Sequence, residues 1–279
     1  MRPPVVTVVV PVRDGVGVLP GCLAALAGQE RAPEFEVVVV DNGSADDTAE
    51  LALGHAVVTR VVHEQVPGSY AARNAGIAAA RGRVLAFTDA DCRPAPRWLA
   101  EGLAALDGAD IVGGDVQAQV SARPSTWERY DRATYLDQGR TVRDEGYAAT
   151  ANLFVRAEVF DRVGRFDASL TSSGDLEWGQ RATRAGCSLV HAPRAAVTHL
   201  PRRSARETWR LHRRLGAGWR DLAREGGRPG AWQEPALRVP LRWAAGRVFA
   251  DGLGRDRVRV AVVHATAMAA RWTGRLRGG

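Results

Sequence analysis

The sequence predicts an α/β fold: a mostly parallel, doubly wound sheet flanked by helices, with a basic helical C-terminal extension. Three observations predict it. Short, continuous apolar runs bounded by turn residues recur through the first 116 residues, as expected of strands buried on both faces. Segments with helical spacing alternate with them, the order that crossover-connected parallel strands require. Charge then changes sign along the chain. Residues 1–200 hold 20 Arg against 25 Asp and Glu, a net of −5, whereas residues 201–279 hold 18 Arg against 6, a net of +12. A body over 1–200 and an Arg-rich extension over 201–279 are therefore expected.

The elements follow in order. Residues 5–10 form an apolar first strand, and 16–27 have helical spacing. Residues 36–40 form a valine strand that runs into Asp41-Asn42-Gly43-Ser44, a turn cluster that also supplies a helix N-cap before 46–53. A third strand is expected at 57–62, an Ala-rich helix at 70–80, and a fourth strand at 84–88 ending in Asp89-Ala90-Asp91. Pro94 and Pro96 open a helix through Leu106, and a fifth strand covers 111–116. No internal repeat or low-complexity segment is present.

Composition excludes several classes. The 279 residues are 46% hydrophobic and 25% charged, globular values that exclude wholesale disorder, a collagen or a coiled coil. The longest late apolar run, residues 260–270, contains His264 and is far short of the roughly 18 residues of a spanning helix. The first residues have the length of a signal peptide, but Pro3, Pro4, Pro11 and the adjoining Arg13-Asp14 favour a first strand. Cys22, Cys92 and Cys187 are odd in number and lack CxxC spacing, which argues for reduced thiols in a cytosol. All 38 basic residues are Arg.

Ligands of such sheets bind outside the carboxyl ends of the strands. Polar residues gather there: Pro11-Val12-Arg13-Asp14 after the first strand, Asp41-Asn42 after the second, Asp89-Ala90-Asp91 after the fourth. Asp89 and Asp91, at i and i+2 in an extended segment, direct both carboxylates to one side. Two such carboxylates repel unless a positive group stands between them. A hard divalent cation shared with substrate phosphates, Mn²⁺ or Mg²⁺, suits that spacing. Small Ala90 lets a ligand approach the backbone.

Five segments in order carry a family resemblance. Val37-Val38-Val39-Val40-Asp41-Asn42-Gly43-Ser44 and Gly68-Ser69-Tyr70-Ala71-Ala72-Arg73-Asn74 resemble the first two signatures of family 2 glycosyltransferases, which have the GT-A fold. Phe87-Thr88-Asp89-Ala90-Asp91 resembles their metal-binding DxD. Ala151-Asn152-Leu153-Phe154 with Val163-Gly164-Arg165-Phe166-Asp167, and then Gly174-Asp175-Leu176-Glu177, resemble their acceptor half.

The resemblance implies roles. Pro11, Val12 and Arg13 line a nucleotide pocket. Asp41 accepts hydrogen bonds from base or ribose, with Asn42 and Gly43 shaping the turn. Arg73 and Asn74 form the next wall, and Arg73 meets a phosphate. Asp89 contacts ribose or metal, Asp91 binds the metal, and His199, after the last strand, completes its shell. Asp175 is the general base, with Asn152, Gly174 and Glu177 on the acceptor side. Gly174 stands where the family normally has Glu, and Glu177 is the alternative second carboxylate. Ser172 and Ser173 are candidate caps that put Asp175 in a first helical turn, where the helix dipole lowers its pKa.

The activity so implied is inverting transfer of one sugar from a UDP-, GDP- or dTDP-linked donor to an acceptor hydroxyl of a lipid-linked, cell-envelope or secondary-metabolite glycan. The processive members' QxxRW segment is missing at Trp209-Arg210 and Trp219-Arg220. The extension, with basic amphipathic stretches at 204–225 and 258–276, suits an anionic membrane surface, so the expected location is cytoplasmic or peripheral on the inner face of the plasma membrane. A dinucleotide-dependent dehydrogenase is disfavoured because no GxGxxG follows the first strand. No nucleic-acid partner is expected, because the acidic body would then have no purpose. A sugar nucleotidyltransferase is the nearest alternative.

Overall fold

The valine runs lie where a sheet buried on both faces needs them. In the computed structural model, which describes residues 5–119, 121–134, 136–224 and 257–276, the strands are β1 (Val6–Val12), β2 (Phe35–Asp41), β3 (Arg60–His63), β4 (Val84–Thr88), β5 (Cys92–Pro94), β6 (Ile111–Ala118), β7 (Asn152–Arg156) and β8 (Leu189–His199). They form one sheet in the order β3-β2-β1-β4-β7-β6-β8-β5. β2, β1 and β4 are buried along most of their length.

The sheet is mixed. β3, β2, β1 and β4 are parallel, but β7 runs antiparallel to both β4 and β6, and β5 antiparallel to β8. The expected mostly parallel sheet therefore holds for one half only. In the other half β6 lies where the fifth strand is expected, and His199 is the final residue of β8, not beyond the last strand. The antiparallel pairing is what the sequence does not announce, and β8 carries Pro193, Arg194 and His191 among its apolar residues. The third strand lies at Arg60–His63, later than the expected 57–62.

Helices α1 (Leu19–Ala27), α2 (Thr48–Leu53), α3 (Ser69–Ala79), α4 (Trp98–Ala105), α5 (Thr126–Thr134), α6 (Gln138–Arg140), α7 (Ala157–Val163), α8 (Gly174–Arg184), α9 (Ala205–Arg224) and α10 (Arg257–Leu276) complete the described elements, with a π turn at Thr141–Glu145 after α6. Pro20 sits in the first turn of α1, where its missing N–H has no helical partner to lose. Pro94 closes β5 and does not open α4, which starts at Trp98.

The chain divides into two compact units. The first holds residues 1–117, 137–169 and 174–199; the second holds 118–136, 170–173 and 200–279. The basic extension is thus joined by an internal segment that includes α5. In the second unit both α5 and α9 begin with a Ser-x-x-Glu capping box. Ser125 and Glu128 bond each other's backbone N–H at 3.3 and 2.6 Å, and Ser204 and Glu207 do so at 3.3 and 3.2 Å. Tyr130, Val263 and Ala267 form its buried core, with Trp127 and Met268 against it.

At the amino ends of the parallel strands, buried Glu36 on β2 accepts Thr7 Oγ1–H at 2.6 Å, the Arg81 N–H at 2.8 Å and Arg81 Nε–H at 2.9 Å. Desolvation alone would raise its pKa, but these bonds outweigh it and hold the carboxyl below its ordinary value. A carboxylate depressed in this way stabilises the fold above its unfolded pKa, and the contribution is lost as pH falls through the folded one. Glu36→Gln is expected to lose about 2 kcal/mol at neutral pH and to flatten the acid side of the stability curve. Urea melts across pH check this; equal losses at neutral and acid pH would contradict it.

Candidate active site

The carboxyl ends of β1, β2 and β4 carry the polar cluster. Val12 faces Asp41 in register, so the loops that follow start side by side. They are clipped together: Ala45 N–H donates to Asp14 Oδ1 at 2.8 Å, Asp14 N–H to Ser44 Oγ at 2.9 Å, and Gly15 N–H to buried Thr48 Oγ1 at 2.8 Å. Asp41 accepts Ser44 N–H at 3.2 Å and meets His63 Nδ1 at 3.3 Å. Asn42 donates to the Glu64 and Val66 carbonyls at 3.0 and 2.8 Å and accepts Gly68 N–H at 2.8 Å, so its amide shapes the 64–68 loop. Gly43 turns at φ 71°, a left-handed conformation that suits glycine. Pro11, Val12, Arg13, Asp41, Asn42 and Gly43 are therefore brought together, with Arg13 exposed.

Asp89 and Asp91 follow β4, two strand spacings or about 10 Å from β2. They do not share one partner. Asp89 pairs with Arg73 Nη2 at 2.5 Å, while Asp91 pairs with His199 Nε2 at 3.1 Å. His199 reaches Asp91 because β5 places Cys92 opposite it in register. Among the described residues no three His, Cys, Asp or Glu side chains are grouped closely enough to hold a metal alone. Of the expected set, Asp91 and His199 are brought together, while Asp89 pairs with the buried Arg73. Burial pushes the neighbouring Cys22 thiol up to about 12 and the Cys92 thiol well above its ordinary value, so both are protonated at neutral pH.

Asp175 lies in the first turn of α8, as expected. Its Oδ1 accepts Leu176 N–H at 3.0 Å and Tyr70 O–H at 3.3 Å, and its own N–H donates to the same phenol oxygen at 3.3 Å. Arg73 lies over the Tyr70 ring, 5.7 Å from its centroid. One chain of contacts therefore runs from Asp89 through Arg73 and Tyr70 to Asp175. The pKa of Asp175 is raised, not lowered: desolvation exceeds the opposing effects of Arg73, the Leu176 N–H and the Tyr70 hydroxyl. Burial therefore outweighs the lowering expected from the dipole of α8. Burial also raises the Tyr70 phenol far above its ordinary value, which keeps it a neutral donor.

Gly174 explains its own departure from the family pattern. A Cβ there would stand 2.7–2.9 Å from three atoms of the Tyr70 ring. Gly174→Ala is expected to displace the phenol from Asp175 and to lose about 1–3 kcal/mol of stability. Thermal melts and transfer rates check this; a variant as stable and as active as the parent would contradict it. Ser173, before the helix, has a left-handed φ of 64°, unlike the extended backbone usual at an N-cap.

Three other expected residues are occupied structurally. The fully buried Asn152 amide accepts Trp98 Nε1–H at 2.8 Å and donates to the Asp115 and Ala195 carbonyls at 2.7 and 2.8 Å, which holds it in the interior. Asn74 pins Phe166 by a two-way backbone pair at 2.8 and 3.1 Å. Glu177 is held by a fork–fork pair to Arg181 at 2.7 and 2.9 Å. Tyr70 and His63 had not been singled out in the sequence. Tyr70 left one trace there: a glycine where a large side chain is usual leaves room for a bulky neighbour.

Comparison with known proteins places this geometry. The family model described as glycosyl transferase family 2 matches residues 7–164. The chain is 37% identical over 222 residues to "Glycosyltransferase AglE" of Haloferax volcanii, covering 77% of this chain and 73% of that one. It is 29% identical over 270 residues to a "Pre-mycofactocin glycosyltransferase" of Mycobacterium tuberculosis, covering 90% of this chain and 54%, about half, of that one. Among solved structures, a mannosyltransferase from Pyrobaculum calidifontis in complex with GDP-Man and Mn²⁺ superposes with a TM-score of 0.62 at 21% identity, over 98% of this chain and 84% of that one. S. aureus TarS 1–349 in complex with UDP-GlcNAc does so with a TM-score of 0.58 at 18% identity, over 97% and 90%. The mixed sheet with its flanking helices is the GT-A fold, and the chain belongs to glycosyl transferase family 2.

Proposed function

We propose that this glycosyltransferase moves one sugar from a nucleoside diphosphate donor to an acceptor hydroxyl, with inversion at the anomeric carbon. The observation that carries the reading is Asp175, a carboxylate oriented by two donors and joined through Tyr70 and Arg73 to the Asp89-Ala90-Asp91 strand end. Asp41, Asn42 and Gly43 form the nucleotide end of the cleft, and Pro11, Val12 and Arg13 its adjoining wall.

Asp175 takes the proton of the acceptor O–H. The acceptor oxygen forms its bond to the anomeric carbon as the bond to phosphate breaks on the opposite face, and the nucleoside diphosphate leaves with that electron pair. Arg73, already close to Asp89, is a fixed positive charge on the donor side. Asp91 and His199 fit a divalent ion as a carboxylate–imidazole pair, with phosphate oxygens as further ligands. Bound there, Mn²⁺ or Mg²⁺ would offset charge on the leaving diphosphate.

The two solved neighbours hold different donors, GDP-Man and UDP-GlcNAc, so the test spans UDP, GDP and dTDP and their sugars, with and without Mn²⁺. Saturation about 100-fold above a dissociation constant stabilises by about 2.7 kcal/mol, a rise of about 5–10 °C for a domain of this size. One nucleotide is expected to give a metal-dependent rise that Asp91→Ala abolishes. Absence of a rise with every nucleotide would overturn the reading. Synthesis of activated sugar from a nucleoside triphosphate, in place of sugar transfer, would favour a nucleotidyltransferase.

A further inference from the structure

In the second unit, α9 and α10 approach so closely that a Cβ at Gly216 would collide with the Arg271 carbonyl, and one at Gly274 with the Arg213 carbonyl. Another face of α10 is buried against Tyr130 through Val263 and Ala267. The apolar stripes that suggested a helix lying in a membrane are thus partly consumed by packing. What the two helices leave open is a groove of about 660 Å³ lined by Arg206, Trp209, Arg210, Arg213, Thr266 and Thr273.

Its charge is one-sided. Arg206, Arg210 and Arg213 stand at i, i+4 and i+7, one face of α9. The acids of that helix are engaged elsewhere: Glu207 caps the helix through the Arg203 and Ser204 N–H groups at 2.6 and 3.2 Å, and Asp221 pairs with Arg220 at 3.0 Å. α10 contains no acid. Thr266 and Thr273 donate their hydroxyls back to Val262 and Ala270 at 2.9 and 2.8 Å, so the arginines are the groove's charged donors. Apolar side chains of the same two helices are exposed. Trp209 is 37%, Trp272 45%, Val262 59% and Leu276 73% exposed. Val262 lies four residues before Thr266, and Leu276 three after Thr273, on the groove side of α10.

We propose that this groove docks the protein onto an anionic lipid surface, with Arg206, Arg210 and Arg213 on headgroup phosphates and Trp209, Trp272, Val262 and Leu276 at the headgroup boundary. Guanidinium groups match phosphate oxygens in pairs, and tryptophan favours the interface between polar and apolar layers. A soluble anion would give the arginines a partner but leave the exposed apolar residues without one.

The test is sedimentation of the full chain with vesicles of phosphatidylcholine alone or with added phosphatidylglycerol, read with the emission of the eight tryptophans. Binding is expected only with phosphatidylglycerol, weakening as salt rises, with a blue shift in emission. Arg206→Gln, Arg210→Gln and Arg213→Gln together are expected to lower partitioning about 100-fold, at about five-fold per arginine. Arg214→Gln, exposed but outside the groove, is the control for charge alone. Equal binding to phosphatidylcholine alone, or no loss in the triple variant, overturns the proposal. So does inorganic phosphate that stabilises the wild type, but not the triple variant, at concentrations that also displace it from vesicles, because the groove would then serve a soluble anion. The nucleotide-dependent thermal shift of the triple variant, expected at the wild-type value, shows that the protein is folded and keeps failure here separate from failure of the transfer reading.

Discussion

Replacing Asp175 with Asn is expected to lower turnover by about 10²–10⁴-fold, the usual contribution of a general base, while the donor nucleotide binds as before. The isosteric amide keeps the first turn of α8 and its place beside Tyr70, so loss of the proton acceptor is the main change. The acid limb of the rate profile supplies a second reading. Burial raises the Asp175 carboxyl, and only its ionised form accepts the proton. Activity of the parent is therefore expected to fall, as pH drops, at a higher pH than an ordinary carboxylate would give. Tyr70→Phe removes a hydrogen bond to the ionised form and is expected to move that limb further up. Titration of donor binding alongside initial rates separates the two effects. Full activity in the Asn variant removes Asp175 as the base, and an unmoved limb in the Phe variant leaves Tyr70 a packing residue.

Arg73→Met carries the second large effect. The guanidinium is buried, pairs with Asp89 and lies over the Tyr70 ring. Its charge is also the largest influence holding the Asp175 pKa down. Loss of that charge favours the protonated base, so the acid limb moves toward neutral pH. Breaking a buried pair costs about 3–5 kcal/mol. Because Asp89 is one-third exposed, water recovers part of this, and about 3 kcal/mol is expected, a fall in Tm of about 6–12 °C. Melting curves and rate profiles of the same preparation check both. A destabilised variant with an unmoved profile would show that Arg73 serves Asp89 alone, and a variant as stable as the parent would contradict the contribution of the pair.

The parallel half of the sheet was legible because burial on both faces leaves an unbroken apolar run, and residues 36–40 have that signature. In the antiparallel half only β6 keeps such a run; β8 interrupts its apolar residues with polar ones and proline, and strand direction leaves no mark in either. At the site, Asp41, Asp89, Asp91 and Asp175 stood out by charge and position. What charge and position do not encode is which group each one meets. Nothing local to Asp89 tells that Arg73 takes it, and nothing local to Asn152 tells that Trp98 and two carbonyls hold its amide. The helix dipole was a local inference about Asp175, and desolvation by distant chain reversed it.

Under the proposed donor-binding role, the clips between the loops after β1 and β2 bear on how donor preference can change. Asp14, Gly15 and Val16 each bond to a residue between Ser44 and Thr48, and Asn42 fixes the chain from Glu64 to Gly68. A graft that exchanges the 13–16 or the 64–68 loop with a relative breaks partners in the 42–48 loop, and exchange of 42–48 breaks partners in both others. Residues 13–16, 42–48 and 64–68 form a single cassette, to be exchanged together. The Glu36 lock at the far ends of the same strands lies outside that cassette, so a library confined to it would vary specificity without disturbing that anchor of the sheet.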